Sequence, residues 1–312
     1  MISQDVVRPE SEGGGVGDEA LTRARFGLGL RSENFRPRLR SKRLRPSPMI
    51  VDAHVHMLPQ RLAARIRQFF EERGAPRMPY SYVAEEVRGA LAAAGIGKCW
   101  NLPYAHRAGA AVSLNRWMAE TWSADSFVVP GATIHPDDDV AAVVREAIED
   151  LHLKVFKLHC SVGSFAADDP RLDPLWRRVS ESGHPVVVHA GSAPEGTAEA
   201  AEVEAVARVA DRWPSATIIV AHFGSPATAP TLALLRRTSN VYADLCPVVG
   251  DPVRLVRADI AGLERRILFG SDLPSVAISI EDSLARVRSW KLDPADEEAV
   301  LGATASRLLD PR

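Results

Sequence analysis

The chain has 312 residues, of which 46% are hydrophobic and 25% are charged, a composition typical of a globular protein with a large core. Its formal net charge of −2 at pH 7 gives no electrostatic reason to expect nucleic acid or an anionic membrane as a partner. We therefore expect a small-molecule substrate.

Cysteines are few and scattered, which argues against a disulfide framework or a CxxC-type zinc site; they are Cys99, Cys160 and Cys246. No stretch approaches the roughly 20 apolar residues that span a bilayer. The first residues, MISQDVVRPES, lack the basic and apolar regions of a secretory signal. These features favour a reducing compartment, and we predict a cytoplasmic protein without a membrane partner.

Residues 1–48 differ in composition from the rest of the chain. They are rich in Gly, Arg and Pro and include RSENFRPRLRSKRLRPSP, a run without apolar periodicity. Segments with so little apolar surface do not form a core, so we predict a disordered tail with solvated arginines. Met49 directly precedes the first predicted strand, which makes it an alternative to Met1 as the start of translation.

From Ile50 onward, short apolar or β-branched runs alternate with longer amphipathic stretches, the pattern of βα units in a parallel sheet. The sequence predicts eight strands, in chain order MIVDAHVH, KCWNLPY, FVVPGATIH, LKVFKLHC, PVVVHAG, ATIIVAHFG, NVYADLC and RILFGSD.

Apolar residues recur every three or four positions between the strands, as they do in amphipathic helices. Examples are SYVAEEVRGALAAAG, AAVVREAIEDLH, DPLWRRVSESG and EAAEVEAVARVADRW. Eight strands alternating with helices over about 260 residues predict an α/β fold, a (β/α)₈ (TIM) barrel spanning residues 49–312. A doubly wound sheet fits less well, because no GxGxxG follows the first strand.

Metal-binding residue types stand where the predicted strands end, and in a barrel these ends converge on one mouth. The period of two along the first strand places His54 and His56 on one face, so both imidazoles can reach the same ion. His189 ends the fifth strand, His222 the sixth, and Asp272 the eighth.

Three imidazoles and a carboxylate, with a position left for water, suit a catalytic Zn²⁺ or a similar ion. Such an ion lowers the pKa of water from 15.7 toward about 7. Asp272 can bind the metal and accept a proton, and His222 can act as a general acid or base. We expect one divalent metal, zinc being favoured and manganese or iron being the alternatives.

The same segments resemble a known family. The HxH after the first strand, PVVVHAG, IVAHFG, FGSDLP and the closing GATASRLLD resemble the amidohydrolase superfamily over about 260 residues, from Met49 to Asp310. The similarity is to the amidohydrolase-2 branch, which includes aminocarboxymuconate-semialdehyde decarboxylase and related hydrolases. The resemblance implies that the metal ligands are His54, His56, His189 and Asp272. It also implies that His222 polarises or deprotonates the attacking water. The alternatives are that His222 is another metal ligand or that it orients a ligand.

Lys157 and His159 share one face of the predicted fourth strand. Some members of the superfamily carboxylate a lysine on this strand and bridge two metals with it. One metal is more usual in the branch resembled here, so we favour an ammonium that pairs with a buried carboxylate. Asp52 is a candidate for that partner or for orienting a ligand, while His159 and Cys160 are predicted to face the substrate.

Tyr104, His106 and Arg107 follow the second predicted strand and are candidates for substrate contact, with a mobile polar loop as the alternative. Arginines at the barrel mouth would distinguish a decarboxylase, because they can bind a substrate carboxylate. Arg107 and Arg254 are the two candidates for that role.

The leading functional hypothesis is metal-dependent hydrolysis of a small carboxylic or cyclic substrate, an amide, lactone or ester, through a metal-activated water. The alternative is non-oxidative decarboxylation of a small unsaturated or aromatic carboxylic acid, which resembling sequences catalyse with the same ligands. A hypothesis of another class is a non-catalytic metal-binding scaffold. A homodimer is compatible with the sequence, since closed dimers are the commonest assemblies of soluble proteins.

Overall fold

The structure is a computed structural model that describes residues 48–191, 199–246 and 255–310. The predicted disordered tail, apart from its last residue, and the candidate Arg254 lie outside the described residues. Among the described helices, none combines the length and the apolar character that a membrane crossing requires.

Eight parallel strands follow one another around a single sheet, each paired with the next in the chain. Seven lie within the predicted runs, and β2 overlaps its run KCWNLPY but begins two residues earlier, at Ile96. The strands are β1 (Ile50–Val55), β2 (Ile96–Asn101), β3 (Val128–Thr133), β4 (Val155–Leu158), β5 (Val186–Val188), β6 (Ile218–Val220), β7 (Val241–Asp244) and β8 (Ile267–Leu268).

The last strand returns to the first. The Ala53 amide donates to the Phe269 carbonyl at 2.9 Å, and Val55 forms a parallel bridge with Leu273. These contacts join the two ends of the sheet into a barrel with helices between the strands, which confirms the predicted (β/α)₈ fold.

Helices connect and cover the strands, and the four predicted helical stretches coincide with α2, α4, α6 and α7 of the structure. The helices are α1 (Gln60–Glu72), α2 (Ala84–Ala93), α3 (Ala110–Trp122), α4 (Val140–Arg145), α5 (Cys160–Gly163), α6 (Asp173–Ser182), α7 (Glu199–Arg212), α8 (Thr228–Arg237), α9 (Ile280–Ser289), α10 (Pro294–Glu298) and α11 (Thr304–Leu308). A π-helical turn at Glu146–Asp150 continues α4, and another at Ala299–Ala303 joins α10 to α11.

Helix α6 illustrates how the sequence sets a helix and its packing. Pro174 in the first turn suits a helix start, and Gly183 ends the helix with a φ of 77°. The face toward the sheet buries Leu175, Trp176 and Val179. Trp176 is 1% exposed and its indole N–H donates to the Ala167 carbonyl at 2.9 Å, so its truncation to alanine should cost about 3–5 kcal/mol.

Strand register decides which side chains reach the barrel mouth. Val187 of β5 pairs with Lys157 of β4 and with Ile219 of β6, so these three side chains point to the same side of the sheet. Lys157 contacts His54 of β1 across the barrel, which identifies this side as the interior. His189 lies two residues beyond Val187, so alternation brings its imidazole to the interior at the carboxyl end of the strands.

Candidate metal centre and substrate cavity

Three of the predicted ligands meet at the carboxyl end of the barrel. The Asp272 Oδ1 lies 3.0 Å from the His56 Nε2 and 3.6 Å from the His54 Nε2. The two Nε2 atoms lie 3.1 Å from each other. Both imidazoles are buried, and the Asp272 side chain is 13% exposed. The first and eighth strands therefore bring two imidazoles and a carboxylate within reach of a single ion, as predicted from their positions in the sequence.

His189 and His222 complete the group from β5 and β6. The His189 Nδ1 lies 3.1 Å from the His222 Nε2. The His222 ring centroid is 5.1 Å from that of His54, and ligand atoms of His54, His222 and Asp272 all lie within 4.8 Å of one another. His222 thus lies as close to the group as a ligand would, which agrees with the alternative that it binds the metal.

Two buried nitrogens of this group have no hydrogen-bond partner among the described residues. They are the His189 Nε2 and the His222 Nδ1. A buried polar atom without a partner is costly, so such atoms indicate a position for an ion or a water molecule. Imidazoles together with a carboxylate are donors that divalent transition metals accept, and the residues present therefore fit a metal centre.

Backbone conformation at the centre is strained. Asp272, His222 and Phe223 have φ values of 62°, 57° and 53°, in the left-handed region that residues with a Cβ rarely adopt. Such conformations cost of order 1–3 kcal/mol each and persist where the surrounding structure holds them. The Asp272 amide is held by donation to the His54 carbonyl at 2.8 Å. Strain at these three residues of the centre is consistent with a functional role.

Asp244, at the end of β7, is a site residue that sequence reasoning missed. Its Oδ2 lies 2.8 Å from the His54 Nδ1, and its Oδ1 accepts from the amides of His222 at 2.8 Å and Cys246 at 3.2 Å. A carboxylate in this position fixes the orientation and tautomer of a metal-binding histidine. A signal was present in the sequence, since Asp244 is a carboxylate near the carboxyl end of the predicted strand NVYADLC.

A second group of possible donors shares His54. Ligand atoms of His54, Asp244 and Cys246 lie within 4.8 Å of one another and are buried. Burial, followed by the nearby carboxylates of Asp244 and Asp272, raises the pKa of the Cys246 thiol well above its usual value. Both oxygens of the Asp244 carboxylate in this group already have partners, Oδ2 the His54 Nδ1 and Oδ1 the amides of His222 and Cys246.

The contacts of Lys157 differ from the predicted ion pair with a buried carboxylate. Its Nζ is fully buried and lies 3.0 Å from the His54 Nε2, and no carboxylate of the described residues lies within 4 Å of it. The predicted ion pair with a carboxylate is therefore wrong, because β4 faces the imidazole of β1 rather than an acid. Burial lowers the pKa of Lys157, while the more distant carboxylates of Asp244 and Asp272 oppose that effect.

Asp52 contacts backbone amides instead of Lys157. Its Oδ1 accepts from the His54 amide at 3.1 Å and from the Ser271 amide at 3.0 Å. These two hydrogen bonds link β1 to the segment that carries Asp272. Burial raises the pKa of Asp52 to about 7. Of the two roles considered for Asp52, the contacts agree with orienting the ligands.

Burial favours the neutral form of three histidines of the centre. Burial lowers the pKa values of His54, His189 and His222 well below their usual range. The charge of Lys157 adds to this effect at His54, and that of His159 adds to it at His189. The neutral imidazole is the form that binds metals, so the electrostatics of the site favour a metal centre at neutral pH.

A cavity of about 630 Å³ opens beside this centre. Tyr104 and His159 line it, and their rings reach the candidate ligands: Tyr104 lies 5.2 Å from the His56 ring, and His159 stacks on His189 at 3.9 Å. Helix α1 supplies the facing wall. The residues of α1 that line the cavity are Arg61, Leu62, Arg65, Ile66, Phe69 and Phe70.

Only some of the predicted substrate contacts line this cavity. Tyr104, His106 and His159 do so. Arg107 is exposed, donates to the carbonyl of the neighbouring Ala108 at 3.4 Å and does not line the cavity. It lies six residues beyond Asn101, the end of β2, so the alternation of the strand does not direct its side chain inward. Arg61 and Arg65 lie there instead, and the sequence analysis did not identify them.

A second cavity, of about 470 Å³, is lined by His189 of the stacked pair, whereas His159 lines the first cavity. Cys160 and His189 line it, as does Arg208, which donates to Asp168 at 2.5 Å. The cation of this cavity is therefore already paired. Cys160, predicted to face the substrate, lines this second cavity and not the one beside α1.

The Amidohydrolase family matches this sequence over residues 51–310. The match covers the whole barrel, and the chain therefore belongs to the amidohydrolase family. The resemblance seen in the strand-end motifs is confirmed. Membership makes the chain an enzyme of the metal-dependent hydrolase or decarboxylase class. No curated protein sequence matches it significantly.

Solved structures share the barrel at low sequence identity. An uncharacterized TIM-barrel protein from Bordetella bronchiseptica is 22% identical, with 84% of this chain and 98% of that chain covered and a TM-score of 0.68. The 5-carboxyvanillate decarboxylase from Sphingomonas paucimobilis is 14% identical, with 85% and 100% covered and a TM-score of 0.61. A 5-carboxyvanillate decarboxylase from Novosphingobium aromaticivorans, complexed with manganese and 4-hydroxy-3-methoxy-5-nitrobenzoic acid, is 14% identical, with 84% and 96% covered and a TM-score of 0.63.

Proposed function

We propose that the protein is a metal-dependent decarboxylase that releases CO₂ from a small aromatic or unsaturated carboxylic acid. The observation that carries the proposal is the cavity beside the candidate metal centre, which combines apolar walls with two arginines, Arg61 and Arg65. An apolar wall accommodates a ring, and arginine binds a carboxylate. Arginines at the barrel mouth are the feature that favours the decarboxylase alternative over the hydrolase of the leading sequence hypothesis.

The structural relatives support the same reaction class. Two of the three barrels described above are decarboxylases of an aromatic acid, and one of them holds manganese with a substituted benzoic acid. We infer that the ion of this protein is a single divalent metal, with manganese as the first candidate and zinc as the alternative. The donor set of imidazoles and a carboxylate is compatible with either.

His54, His56, His189 and Asp272 are proposed to hold the ion, with His222 beside them. When bound, the metal supplies a Lewis acid that stabilises negative charge developing on the substrate. Asp244 keeps the His54 imidazole in place through its contact at 2.8 Å. Tyr104 and His159 form the inner wall of the cavity and would orient the ring of the acid.

Decarboxylation breaks the bond between a substrate carbon and its carboxylate. The electron pair stays on that carbon, CO₂ leaves, and a proton takes its place. The proton comes from solvent. Asp272, whose side chain is 13% exposed, and His222 are proposed to relay it to the substrate carbon, because both lie at the centre and their ligand atoms are within 4.8 Å of each other.

The proposal is tested by product analysis on the metal-loaded full chain. A panel of hydroxybenzoic, benzenedicarboxylic and unsaturated acids is assayed for CO₂ release, and a matched panel of lactones, esters and amides for acid release. We expect CO₂ from at least one acid, lost on chelation and in Asp272→Asn. Acid release from the second panel without CO₂ from the first would identify a hydrolase. No turnover in either panel would favour the metal-binding scaffold.

A further inference from the structure

The second cavity extends from the protein surface to a proposed metal ligand. Buried residues line one part of it, among them His189 and Ala205, which are 5% and 3% exposed. Exposed residues line another part, among them Ser164, Ala166 and Ala201. A small molecule in this cavity can therefore pass between solvent and the His189 imidazole.

The walls of the second cavity suit a small neutral molecule. Many of its side chains are apolar and most of these are small: Phe165, Ala166, Ala167, Ala201 and Ala205. The charged residues that line it are already engaged. The Arg208 guanidinium donates to Asp168 at 2.5 Å, and the Glu202 carboxylate accepts from the Gly191 amide at 2.9 Å. An apolar or weakly polar molecule can occupy this space without breaking these pairs.

The two cavities differ in charge. The guanidinium groups of Arg61 and Arg65 line the first cavity, whereas the Glu202 carboxylate and the paired Arg208 line the second. An organic anion is therefore attracted to the first cavity and repelled by the carboxylate of the second. An uncharged molecule such as CO₂ is not repelled by either.

The cavities adjoin each other beside the candidate metal centre. Ser161 lines both of them. His159 lines the first and stacks on His189, which lines the second, with their ring centroids 3.9 Å apart. A molecule of CO₂ formed at the centre therefore lies close to the second cavity. An aromatic product that still fills the first cavity hinders its departure on that side.

We propose, building on the decarboxylase function above, that the second cavity is the passage through which CO₂ leaves. The bond between the substrate carbon and its carboxylate breaks, and the carbon keeps the electron pair and gains a proton from solvent. CO₂ moves past His189 into the second cavity while the product is still in the first. In the reverse reaction CO₂ enters by the same passage.

The test is isotope exchange at chemical equilibrium, catalysed by the manganese-loaded full chain. The mixture contains ¹³C-labelled CO₂, the acid with the highest turnover in the panel above and its decarboxylated product. Transfer of label into the acid is followed while acid and product are raised together to saturation. CO₂ with its own passage exchanges while product occupies the first cavity, so we expect the exchange rate to reach a plateau. If CO₂ could leave only after the product, exchange would fall toward zero.

Two substitutions place a large side chain in the passage. Ala201→Trp and Ala205→Phe should each lower the plateau by at least about tenfold, a barrier increase of about 1.4 kcal/mol. Exchange at low acid and product concentrations should change far less, because CO₂ can then leave through an empty first cavity. Circular dichroism and manganese affinity verify that the fold and the metal centre are retained.

Ala200→Trp is the matched control. Ala200 is exposed and adjacent to Ala201 on α7, but its side chain points about 100° away around the helix. The plateau should remain unchanged in this variant.

The proposal is overturned if exchange by the unchanged protein falls to zero at saturation. It is also overturned if the plateau survives both Ala201→Trp and Ala205→Phe, or if Ala200→Trp lowers it equally. Failure of the proposed function gives a different result, since a protein that releases no CO₂ from the panel shows no exchange at any concentration. CO₂ release with exchange that vanishes at saturation would refute the passage and retain the decarboxylase.

Discussion

The His54 Nδ1 lies 2.8 Å from the Asp244 Oδ2, and both side chains are fully buried. The carboxylate accepts a hydrogen bond from Nδ1, which leaves the lone pair of the His54 Nε2 directed toward His56 and Asp272. This pair links β1 to β7, the two strands that flank β8 in the closed barrel. It sets the orientation of the imidazole on which the candidate metal centre depends.

Asp244→Asn should weaken metal binding about 10–100-fold, because an amide does not fix the tautomer of His54 as a carboxylate does. The measurement is metal affinity by competition with a chelator, with circular dichroism to verify that the fold is retained. Asp211→Asn is the control, because Asp211 is an exposed carboxylate that pairs with Arg237 and contacts none of the candidate ligands. Unchanged affinity in Asp244→Asn would show that Asp244 does not orient the ligand.

Gly270→Ala should disturb the centre and destabilise the barrel by about 1–3 kcal/mol. A Cβ at Gly270 would lie 2.5 Å from the Cys246 Sγ and 2.9 Å from the His54 Cβ, so His54 or its strand has to move. Urea unfolding and metal affinity are the two measurements. Gly89→Ala in α2 is the matched control, because nothing lies within 4 Å of its added Cβ. It should leave the metal affinity unchanged and raise helix stability by up to about 1 kcal/mol.

The Lys157→Met variant should bind one metal ion per chain. Its metal affinity should be at least that of the unchanged protein. The Lys157 Nζ lies 3.0 Å from the His54 Nε2, where a positive charge repels a bound cation. Metal content and affinity are measured with and without bicarbonate. Two ions per chain in the presence of bicarbonate, reduced by this substitution, would instead indicate a carboxylated lysine that bridges two metals.

The metal-free protein should lose stability as the pH falls below about 6.5. In the unfolded chain the imidazoles titrate near pH 6.5, whereas burial lowers their pKa values in the fold, so the unfolded state binds more protons in this range. The histidines concerned are His54, His159, His189 and His222. The pKa of Asp52 is raised to about 7, so protonation of Asp52 stabilises the fold as the pH falls. The four histidines outweigh this single carboxyl group.

Urea unfolding of the chelated protein at pH 6.5 and pH 5.5 measures this dependence. The free energy of unfolding should fall by about 1 kcal/mol or more over that unit, and His222→Gln should reduce the fall. A free energy of unfolding that stays constant between these pH values would contradict the assignment of neutral, buried imidazoles.

The strands and most ligand positions could be predicted from the sequence because they depend on local patterns. Apolar runs mark the strands, and alternation along β1 places His54 and His56 together. Contacts set by barrel closure could not be predicted in this way. The pairs of His54 with Asp244 and of His54 with Lys157 join residues 190 and 103 positions apart. No local pattern distinguishes the imidazole that Lys157 meets from the carboxylate that was expected.

Helix α1 contains cavity-lining residues that the sequence patterns did not predict. Its arginines were not singled out, because a charged residue on an amphipathic helix is ordinarily a solvated one. Their place in the cavity wall depends on the packing of α1 opposite Tyr104 and His159. The loop arginine Arg107 was chosen for its nearness in sequence to a strand end, which does not determine where its side chain lies.

The most direct test of the central claim is a crystal structure of the manganese-loaded full chain with anomalous diffraction data for manganese. We expect one anomalous peak, at about 2.0–2.3 Å from the His54 Nε2, the His56 Nε2, a nitrogen of His189 and a carboxylate oxygen of Asp272. A peak at the group of His54, Asp244 and Cys246 would contradict the claim. So would the absence of any peak among the four proposed ligands.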